Sequence, residues 1–272
     1  MFFIKMQGIG NDFILINNLE KNMIYDYNKL SKYLCDRHFG IGADGVIFVE
    51  KSDVAEFKMR IFNSDGSEAE MCGNGIRCFA KYLYLNKLID KYEFNIETLA
   101  GIKKVKLILE GKKVSKIRVN MGKPCFEFSK IPVYSDENEY LEINNKKLYP
   151  ISMGNPHCVC FVNNLENINI EEEGRKIENY KYFPNKTNVE FVEIISEKEI
   201  KVRVWERGVG ETLACGTGAC ASAVISNKIK NLNNKIVVRL KGGNLSIEYD
   251  LKNDLVYLEG EAEEIYSGKI YI

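Results

Sequence analysis

The chain is poor in proline, with 5 residues in 272, and it has only two histidines, His38 and His157. It has no excess of either charge, because Lys+Arg and Asp+Glu both number 38. A balanced chain lacks the positive surface that nucleic acid or an anionic membrane would attract. It has no apolar run long enough to span a bilayer, and its first residues do not read as a secretory signal. We therefore expect a cytoplasmic globular protein whose function involves neither nucleic acid nor a membrane.

The eight cysteines do not follow a disulfide or metal-binding pattern. Their spacing is irregular and the chain is long, unlike a small secreted domain held together by disulfides. Cys158 and Cys160 share one face of a predicted strand, but no second pair of ligands has the spacing of a zinc site. We expect free thiols and no bound metal. Six cysteines are predicted to be core residues: Cys35, Cys78, Cys125, Cys158, Cys160 and Cys220.

The two remaining cysteines belong to a motif that the chain contains twice. The tetrapeptides at 72–75 and 215–218 both read Cys-Gly-x-Gly, and each leads into an apolar pattern of helical period. Their cysteines are 143 positions apart (215 − 72), and the same interval separates Arg60 from Arg203. A shared interval of this size in a chain of 272 residues predicts two related halves.

The pattern of strands and helices indicates two halves of the α+β class. Helices are predicted at 26–36, 74–85 and 170–179, and from the second motif to about residue 229. The order strand, strand, helix differs from the regular alternation of a parallel α/β fold. We expect two pseudo-symmetric halves, each a curved, mostly antiparallel sheet (a barrel or roll) around a central helix, with the active site in the cleft between them. The predicted halves are 1–119 and 120–260, with the tail 261–272 packing back on the first.

Each repeated motif places a thiol at the start of a helix. The partial positive charge there favours the thiolate and so lowers the pKa of the thiol, while glycine lets backbone N–H groups approach an anion. Two such sites on one substrate carbon suit racemisation, because one thiolate removes a proton from one face and the opposite thiol returns a proton to the other. The two thiols should titrate as a coupled pair.

The residues alone leave several interpretations open. Duplication also preserves packing features, so a non-enzymatic module that binds an anion with inert thiols remains an alternative. His38, at a helix end, is interpreted as structural. His157 lies in a loop that matches the loop of Asn11, and a structural role and a site role both remain open. Glu206 and Arg207 end a strand, where they form either a solvated turn or an acid/base group beside a contact for a substrate carboxylate.

Over nearly its whole length the chain resembles the diaminopimelate epimerase family. The resemblance lies in the segments 5–13, 37–45, 62–67, 71–78, 119–122, 152–157 and 206–220, in this order. It implies a fold similar to that of proline racemases and cofactor-independent interconversion of LL- and meso-2,6-diaminopimelate. It also implies a role in bacterial lysine and cell-wall precursor synthesis, a small amino acid as the substrate and a homodimer. A proline-type racemase, with the same two thiols, is the alternative enzyme.

The resemblance implies a role for each matching residue. Cys72 and Cys215 match the catalytic pair, of which the first donates and the second accepts a proton from LL to meso. His157 and Glu206 match positions that tune the thiols, and Tyr266 matches a tyrosine of the dimer contact. The substrate contacts and backbone cradles are matched by Asn11, Asn63, Gly73, Asn74, Asn155, Asn188, Glu206, Arg207, Gly216 and Thr217.

One residue departs from the family pattern. Some members carry Gln where this chain has Gly45. We expect the substrate contact of that side chain to be absent here or replaced by backbone. The polar residues Asn74, Asn155, Asn188 and Arg207 still favour a long substrate with polar groups at its far end over proline.

Overall fold

The computed structural model describes residues 1–20, 26–136 and 139–271. These residues form two compact units, Met1–Asn120 with Glu259–Ile272 and Met121–Leu258. No helix in the described ranges is long and apolar enough to cross a membrane.

The first unit consists of nine strands and two helices among the described residues. They are β1 (Phe2–Gly8), β2 (Asn11–Asn17), α1 (Tyr27–Cys35), β3 (Gly45–Glu50), β4 (Phe57–Asn63), β5 (Glu68–Ala69), α2 (Gly73–Leu85), β6 (Glu93–Thr98), β7 (Gly101–Glu110), β8 (Lys113–Gly122) and, from the end of the chain, β18 (Glu263–Lys269).

The second unit contains the remaining elements. They are β9 (Leu141–Ile143), β10 (Lys146–Ser152), β11 (Pro156–Phe161), a short 3-10 helix (Leu165–Asn167), α3 (Ile170–Glu178), β12 (Asn188–Ser196), β13 (Glu199–Glu206), β14 (Gly210–Thr212), α4 (Gly216–Lys230), β15 (Lys235–Leu240), β16 (Gly243–Asp250) and β17 (Leu255–Gly260).

The two units repeat one topology, as the internal repeat predicts. In the first, β1 and β2 are antiparallel, α1 leads to β3 parallel to β2, and α2 leads to β6 parallel to β4. In the second, β10 and β11 are antiparallel, α3 leads to β12 parallel to β11, and α4 leads to β15 parallel to β13. Most other pairings are antiparallel. The predicted α+β class with two pseudo-symmetric halves is confirmed.

Three details differ from the expectation. The sheet is mixed and is not a closed barrel. Strands β9 and β10 were not predicted, because the polar turn at Asn144 and Asn145, both with positive φ, separates two short apolar runs. The tail was expected only to pack, but it forms β18, antiparallel to β1.

The first motif opens a helix that is buried nearly all round. In α2 most residues from Gly73 to Leu83 are buried. Gly75 packs on the sheet so closely that a Cβ would lie 2.9 Å from Ile61 and 3.1 Å from Ile47. On the other face of the sheet, Val46 and Phe48 pack in the cluster that contains α1. A strand covered on both faces carries a continuous apolar run, which is why β3 reads Gly-Val-Ile-Phe-Val-Glu.

The second unit uses the same layers. In α4 ten residues from Gly216 to Ser226 are buried, as expected of a helix surrounded by other elements. The helix α3 lies on the other side and packs through Gly174 against the Trp205 ring, whose Nε1–H donates to Glu178 at 2.8 Å. A buried cluster around Phe191 and Trp205 fills this layer.

Gly174→Ala should lower the free energy of unfolding by about 1–3 kcal/mol. Alanine in a helix normally adds up to about 1 kcal/mol relative to glycine. Here the new Cβ would lie 2.5 to 2.8 Å from three Trp205 atoms that the Glu178 bond holds in place. Overpacking therefore outweighs propensity. Urea unfolding measures the change; the exposed Glu171→Ala on the same helix is the control, with a change within about 0.5 kcal/mol. A Gly174→Ala protein as stable as the parent would contradict the packing argument.

Candidate active site

Cys72 is the N-cap residue of α2. Its backbone is extended (φ −137°, ψ 121°), and its Sγ accepts the N–H of Gly75 at 3.4 Å. Cysteine here replaces the oxygen that Ser or Asp usually supplies to the unpaired N–H groups of a first turn. The thiol is half-buried. The expected position of this thiol at a helix start is observed.

Asn11 connects this thiol to a fixed network. Its Oδ1 lies 3.7 Å from Cys72 Sγ and accepts the Asn74 amide at 3.3 Å. Its Nδ2–H donates to Asp44 at 2.7 Å, and Asp44 in turn accepts Arg37 at 3.0 Å. A carboxylate can only accept hydrogen bonds, so Asp44 must face the NH2 group of the Asn11 amide. The amide oxygen of Asn11 is thereby directed at the thiol. An oxygen acceptor at that place stabilises the protonated thiol.

Arg77 supports the same turn from inside the helix, a role that was not predicted from the sequence. Its guanidinium is fully buried and donates to Gly73 O at 2.8 Å, to Asn74 Oδ1 at 3.0 Å and to Glu261 O at 3.1 Å. A buried guanidinium requires several acceptors. It thereby fixes the predicted cradle residues Gly73 and Asn74.

Cys215 repeats the geometry in the second unit. It is the N-cap of α4 (φ −122°, ψ 115°), and Sγ accepts the N–H of Gly218 at 3.4 Å. Thr217 Oγ1 lies 3.5 Å from the sulfur. The residue is 7% exposed. Glu206, at the end of β13, accepts the Thr212 hydroxyl at 2.5 Å, and its charge raises the pKa of the Cys215 thiol.

The thiol environment corrects one expectation from sequence. Burial, together with the negative charges of Glu206 and Glu190, raises the pKa of Cys215 well above its ordinary value, although Thr217 and the N–H of Gly218 act to lower it. The predicted lowering by the helix start is wrong for this thiol, because a helix terminus is worth at most about 2 kcal/mol and desolvation exceeds it. Burial likewise raises the pKa of Glu206.

His157 does not lie in a loop but is the second residue of β11, and it is fully buried. Its Nδ1 lies 2.6 Å from Glu190 Oε1, and its Nε2 lies 2.9 Å from Asn155 Oδ1. Glu190 is a further site residue that the sequence reading missed. A single carboxylate inside the apolar run Val-Glu-Phe-Val of β12 was the available signal.

Asn188 and Arg207 join two loops of the second unit. Asn188 Nδ2–H donates to Pro156 O at 2.8 Å, and its Oδ1 accepts the Arg207 N–H at 2.9 Å. The Arg207 guanidinium is at the surface and donates to Asn185 O at 3.2 Å. The buried amide therefore holds the turn that positions the exposed cation.

Asn63 lies at the end of β4, where its amide donates to Ser67 Oγ at 3.0 Å. It pairs with Gly45 on β3. A Cβ at Gly45 would lie 2.7 Å from Phe62 O and 3.3 Å from the Phe13 ring, so a larger residue there would require the neighbouring backbone to shift.

The other predicted residues lie apart from these clusters. Tyr266 is 46% exposed on β18 and packs edge-to-face on Phe3. Cys125 was predicted to be in the core, but it is half-buried, because it lies in an isolated bridge to Ser152 outside the strands. The other five cysteines predicted to be core residues are buried. Across the described ranges, no three His, Cys, Asp or Glu side chains are placed to hold a metal ion.

Solved structures show which class of fold this is. A Bacillus anthracis phenazine biosynthesis protein of the PhzF family has a TM-score of 0.73 at 18% identity, covering 100% of this chain and 99% of that one. A probable proline racemase from Agrobacterium radiobacter, with bound carbonate, has a TM-score of 0.72 at 13% identity, covering 100% and 93%. The chain therefore has the fold that these two proteins share.

The family follows from sequence. The diaminopimelate epimerase model matches residues 3–127 and 149–265. The diaminopimelate epimerase of Agathobacter rectalis is 48% identical over 285 residues, and the alignment covers 100% of this chain and 100% of that protein. The diaminopimelate epimerase of Halothermothrix orenii is 51% identical over 280 residues, and the alignment covers 99% of this chain and 98% of that protein. The chain belongs to the diaminopimelate epimerase family, and it is an isomerase that acts on an amino acid. The resemblance is confirmed, and the non-enzymatic binding module is set aside.

Glu206→Gln should make the free energy of unfolding depend less on pH between about pH 5 and pH 8. Burial raises the pKa of Glu206 above the ordinary 4.5. The unfolded chain therefore loses this proton at a lower pH than the folded chain, and stability falls as the pH rises through 4.5 and above. The Gln amide cannot ionise, so the variant lacks the decrease in the free energy of unfolding that Glu206 causes as the pH rises. Urea unfolding at the two pH values measures it.

Glu211→Gln is the matched control with the opposite sign. Burial acts to raise the pKa of Glu211, but hydrogen bonds from Arg203 and Lys241 lower it overall. Its carboxylate therefore stabilises the fold above its ordinary pKa, and the stabilisation is lost as the pH falls. At about pH 8 the free energy of unfolding of Glu211→Gln should be lower than that of the parent, and that of Glu206→Gln should be higher. If the free energy of unfolding of Glu206→Gln depended on pH as steeply as that of the parent, the raised pKa of Glu206 would be contradicted.

Proposed function

We propose that the protein epimerises LL-2,6-diaminopimelate to meso-2,6-diaminopimelate without a cofactor, with Cys72 and Cys215 as the two acid/base groups. The observation that carries this proposal is the equivalence of the two thiols. Each is an N-cap cysteine whose sulfur accepts a glycine N–H three residues on, at 3.4 Å in both cases. In a family of amino-acid epimerases, two such thiols meet the need for one proton acceptor and one proton donor.

In the forward direction the Cys215 thiolate removes the α-proton, and the electron pair of the C–H bond passes into the substrate carboxylate. The Cys72 S–H bond then breaks, and its proton is added to the opposite face of the same carbon. Cys72 ends as the thiolate and Cys215 as the thiol, and the roles reverse for the return reaction. The mechanism requires both thiols to reach opposite faces of one carbon.

The two thiol environments favour this division of roles. The Asn11 oxygen faces Cys72 and stabilises its S–H form, as a proton donor needs. Glu206 lies beside Cys215, and burial raises the pKa of both groups. Transfer of the thiol proton to Glu206 generates the thiolate without changing the net charge of the buried pair. Such a transfer is cheaper in a site of low dielectric constant than the loss of a proton to water.

The developing carbanion needs donors that are already oriented. The first-turn N–H groups at 73–74 and 216–217 are such donors, and each well-placed donor contributes about 3–4 kcal/mol in related anion sites. We assign Asn11, Asn63, Asn155, Asn188 and Arg207 to the substrate's amino and carboxylate groups. The exposed Arg207 suits a carboxylate, because its fork can donate two hydrogen bonds.

The further expectations belong to the same proposal. Meso-diaminopimelate serves lysine and cell-wall precursor synthesis in the cytoplasm. The chain acts as a homodimer, and Tyr266, half-exposed on β18, contributes to the contact between its subunits.

Cys72→Ala and Cys215→Ala should each lower kcat for epimerisation by about a thousandfold or more, because residues that act as a unit are each indispensable. The half-buried Cys125→Ala is the matched control and should retain activity. Near-UV circular dichroism confirms that each variant is folded. Substantial turnover by either of the first two variants would contradict the two-thiol mechanism.

Incubation with LL-diaminopimelate in D2O tests the proton path directly. Meso product should carry deuterium at one α-carbon, because Cys72 delivers a deuteron from solvent. LL substrate recovered early should carry none, because a different thiol, Cys215, removes and returns the original proton on that face. Chiral chromatography with mass spectrometry reads both. Deuterium in the early recovered substrate would indicate a single exchanging base. Absence of product, with turnover of proline instead, would favour the racemase alternative.

A further inference from the structure

A carboxylate is buried in the middle of the second unit without a role in the proposed proton path. Glu190 lies in β12 between Val189 and Phe191 and is 0% exposed. Its strand partner in register is Val159 on β11. Glutamate is almost never fully buried unless it is paired, so its contacts indicate why it is there.

Glu190 faces His157 on one side. Oε1 lies 2.6 Å from Nδ1, while the Asn155 amide oxygen lies 2.9 Å from Nε2. With the Asn155 amide in this orientation its oxygen can only accept, so Nε2 carries a proton. One further proton then lies between Nδ1 and Oε1. Whether it resides on the imidazole or on the carboxyl group, the His157–Glu190 pair has no net charge.

The second carboxyl oxygen supports the neutral pair. Within the described ranges Glu190 Oε2 is buried and has no hydrogen-bond partner. A carboxylate with full negative charge and an unpartnered oxygen would be costly at 0% exposure. A shared proton on Oε1 removes most of this cost.

On its other side Glu190 packs against the start of α4. A Cβ on Gly218 would lie 2.6 Å from Oε1, so only glycine fits between the carboxyl group and the helix. The N–H of the same Gly218 donates to Cys215 Sγ at 3.4 Å. The carboxyl group of Glu190 therefore packs against the glycine whose N–H the thiol accepts.

The charge of the pair matters because other titratable groups lie close by. His157 faces Glu190 from β11, and a negative charge on Glu190 that is not balanced by His157 would raise the pKa of Cys158 and Cys215. Glu206 on β13 already supplies one carboxylate beside the thiol. A second unneutralised carboxylate would disfavour the Cys215 thiolate that the reaction needs.

We propose that Glu190 is a positioning residue for the epimerisation. It shares one proton with His157 in a buried pair of zero net charge, keeps the His157 Nε2–H directed at Asn155, and supports the Gly218 N–H that binds Cys215. The proposal rests on the proposed function in taking Cys215 as the acting thiol.

The competing arrangement follows from turning the Asn155 amide. Its N–H would then donate to Nε2, the proton on Nδ1 would be donated to a carboxylate, and the pair would carry one negative charge. The two arrangements differ in a measurable way, because Nε2 is protonated in the first and unprotonated in the second.

Nitrogen-15 NMR of histidine-labelled protein distinguishes them without any substrate. The chain has only two histidines, and His38 is exposed, so His38→Gln assigns both signals. We expect His157 Nε2 to carry a proton at neutral pH, because it faces the Asn155 amide oxygen. An unprotonated Nε2 with a protonated Nδ1 at neutral pH would overturn the proposal. This readout stands even if the protein proves inactive on diaminopimelate.

Kinetics then test the link to the thiol. His157→Gln removes the partner that shares the proton, so no neighbouring imidazole balances the negative charge when the Glu190 carboxyl group ionises. We expect kcat/KM to fall about tenfold or more, and the acid limb of its pH profile to move to higher pH. Adding Glu190→Gln removes this charge and should move the acid limb back toward that of the parent.

Glu193→Gln in the His157→Gln background is the matched control. Glu193 is on the same strand but accepts the Leu165 N–H away from His157, so it should give no recovery. A purely structural role for Glu190 predicts a further loss in the double variant with an unchanged acid limb, and that result would overturn the proposal. Unfolding curves of all variants confirm that the fold is retained.

Discussion

In each unit a backbone N–H donates a hydrogen bond to a cysteine sulfur. This hydrogen bond constrains the backbone of the helix start and the packing of the helix on its sheet. For the glycine N–H to reach the thiol at 3.4 Å, the cysteine must be an extended N-cap and the glycine must lie three residues on. Both glycines are in close contact with the sheet, Gly75 with Ile61 and Gly218 with Glu190. The position of each thiol is therefore set by how closely the central helix packs on its strands, and a fully buried helix makes that packing rigid.

The same backbone arrangement is combined with different electrostatics in the two units. Cys72 is half-buried and faces the neutral amide of Asn11, which an ionic network holds in one orientation. Cys215 is buried beside carboxyl groups that raise its pKa. Duplication supplies two equal helix starts, and the residues that surround them give the two thiols the different environments on which the proposed roles depend. This difference is thus due to neighbouring strands and not to the motifs themselves.

Much of this was accessible from sequence, because the repeated motif, the period of 143 and the apolar periodicities are local patterns. They predict the two halves, the four helices and the placement of both thiols. Glu190, Arg77 and Asp44 were missed, since a buried partner is defined by chain segments far away in sequence. The pKa of Cys215 was misjudged for the same reason: the helix terminus is visible in the motif, whereas the desolvation that outweighs it arises from tertiary packing.

The buried groups of the second unit share one property that a proton-transfer site requires. The proposed pairs, Cys215 with Glu206 and His157 with Glu190, each keep their protons within the pair. Moving a proton inside such a pair changes no net charge, so the surrounding protein pays no new desolvation penalty during the reaction. A site that is dry enough to strengthen the amide donors would otherwise penalise every thiolate it creates. The proposed shared protons reconcile these two demands, and they account for the carboxyl group of Glu190 inside an apolar run of β12.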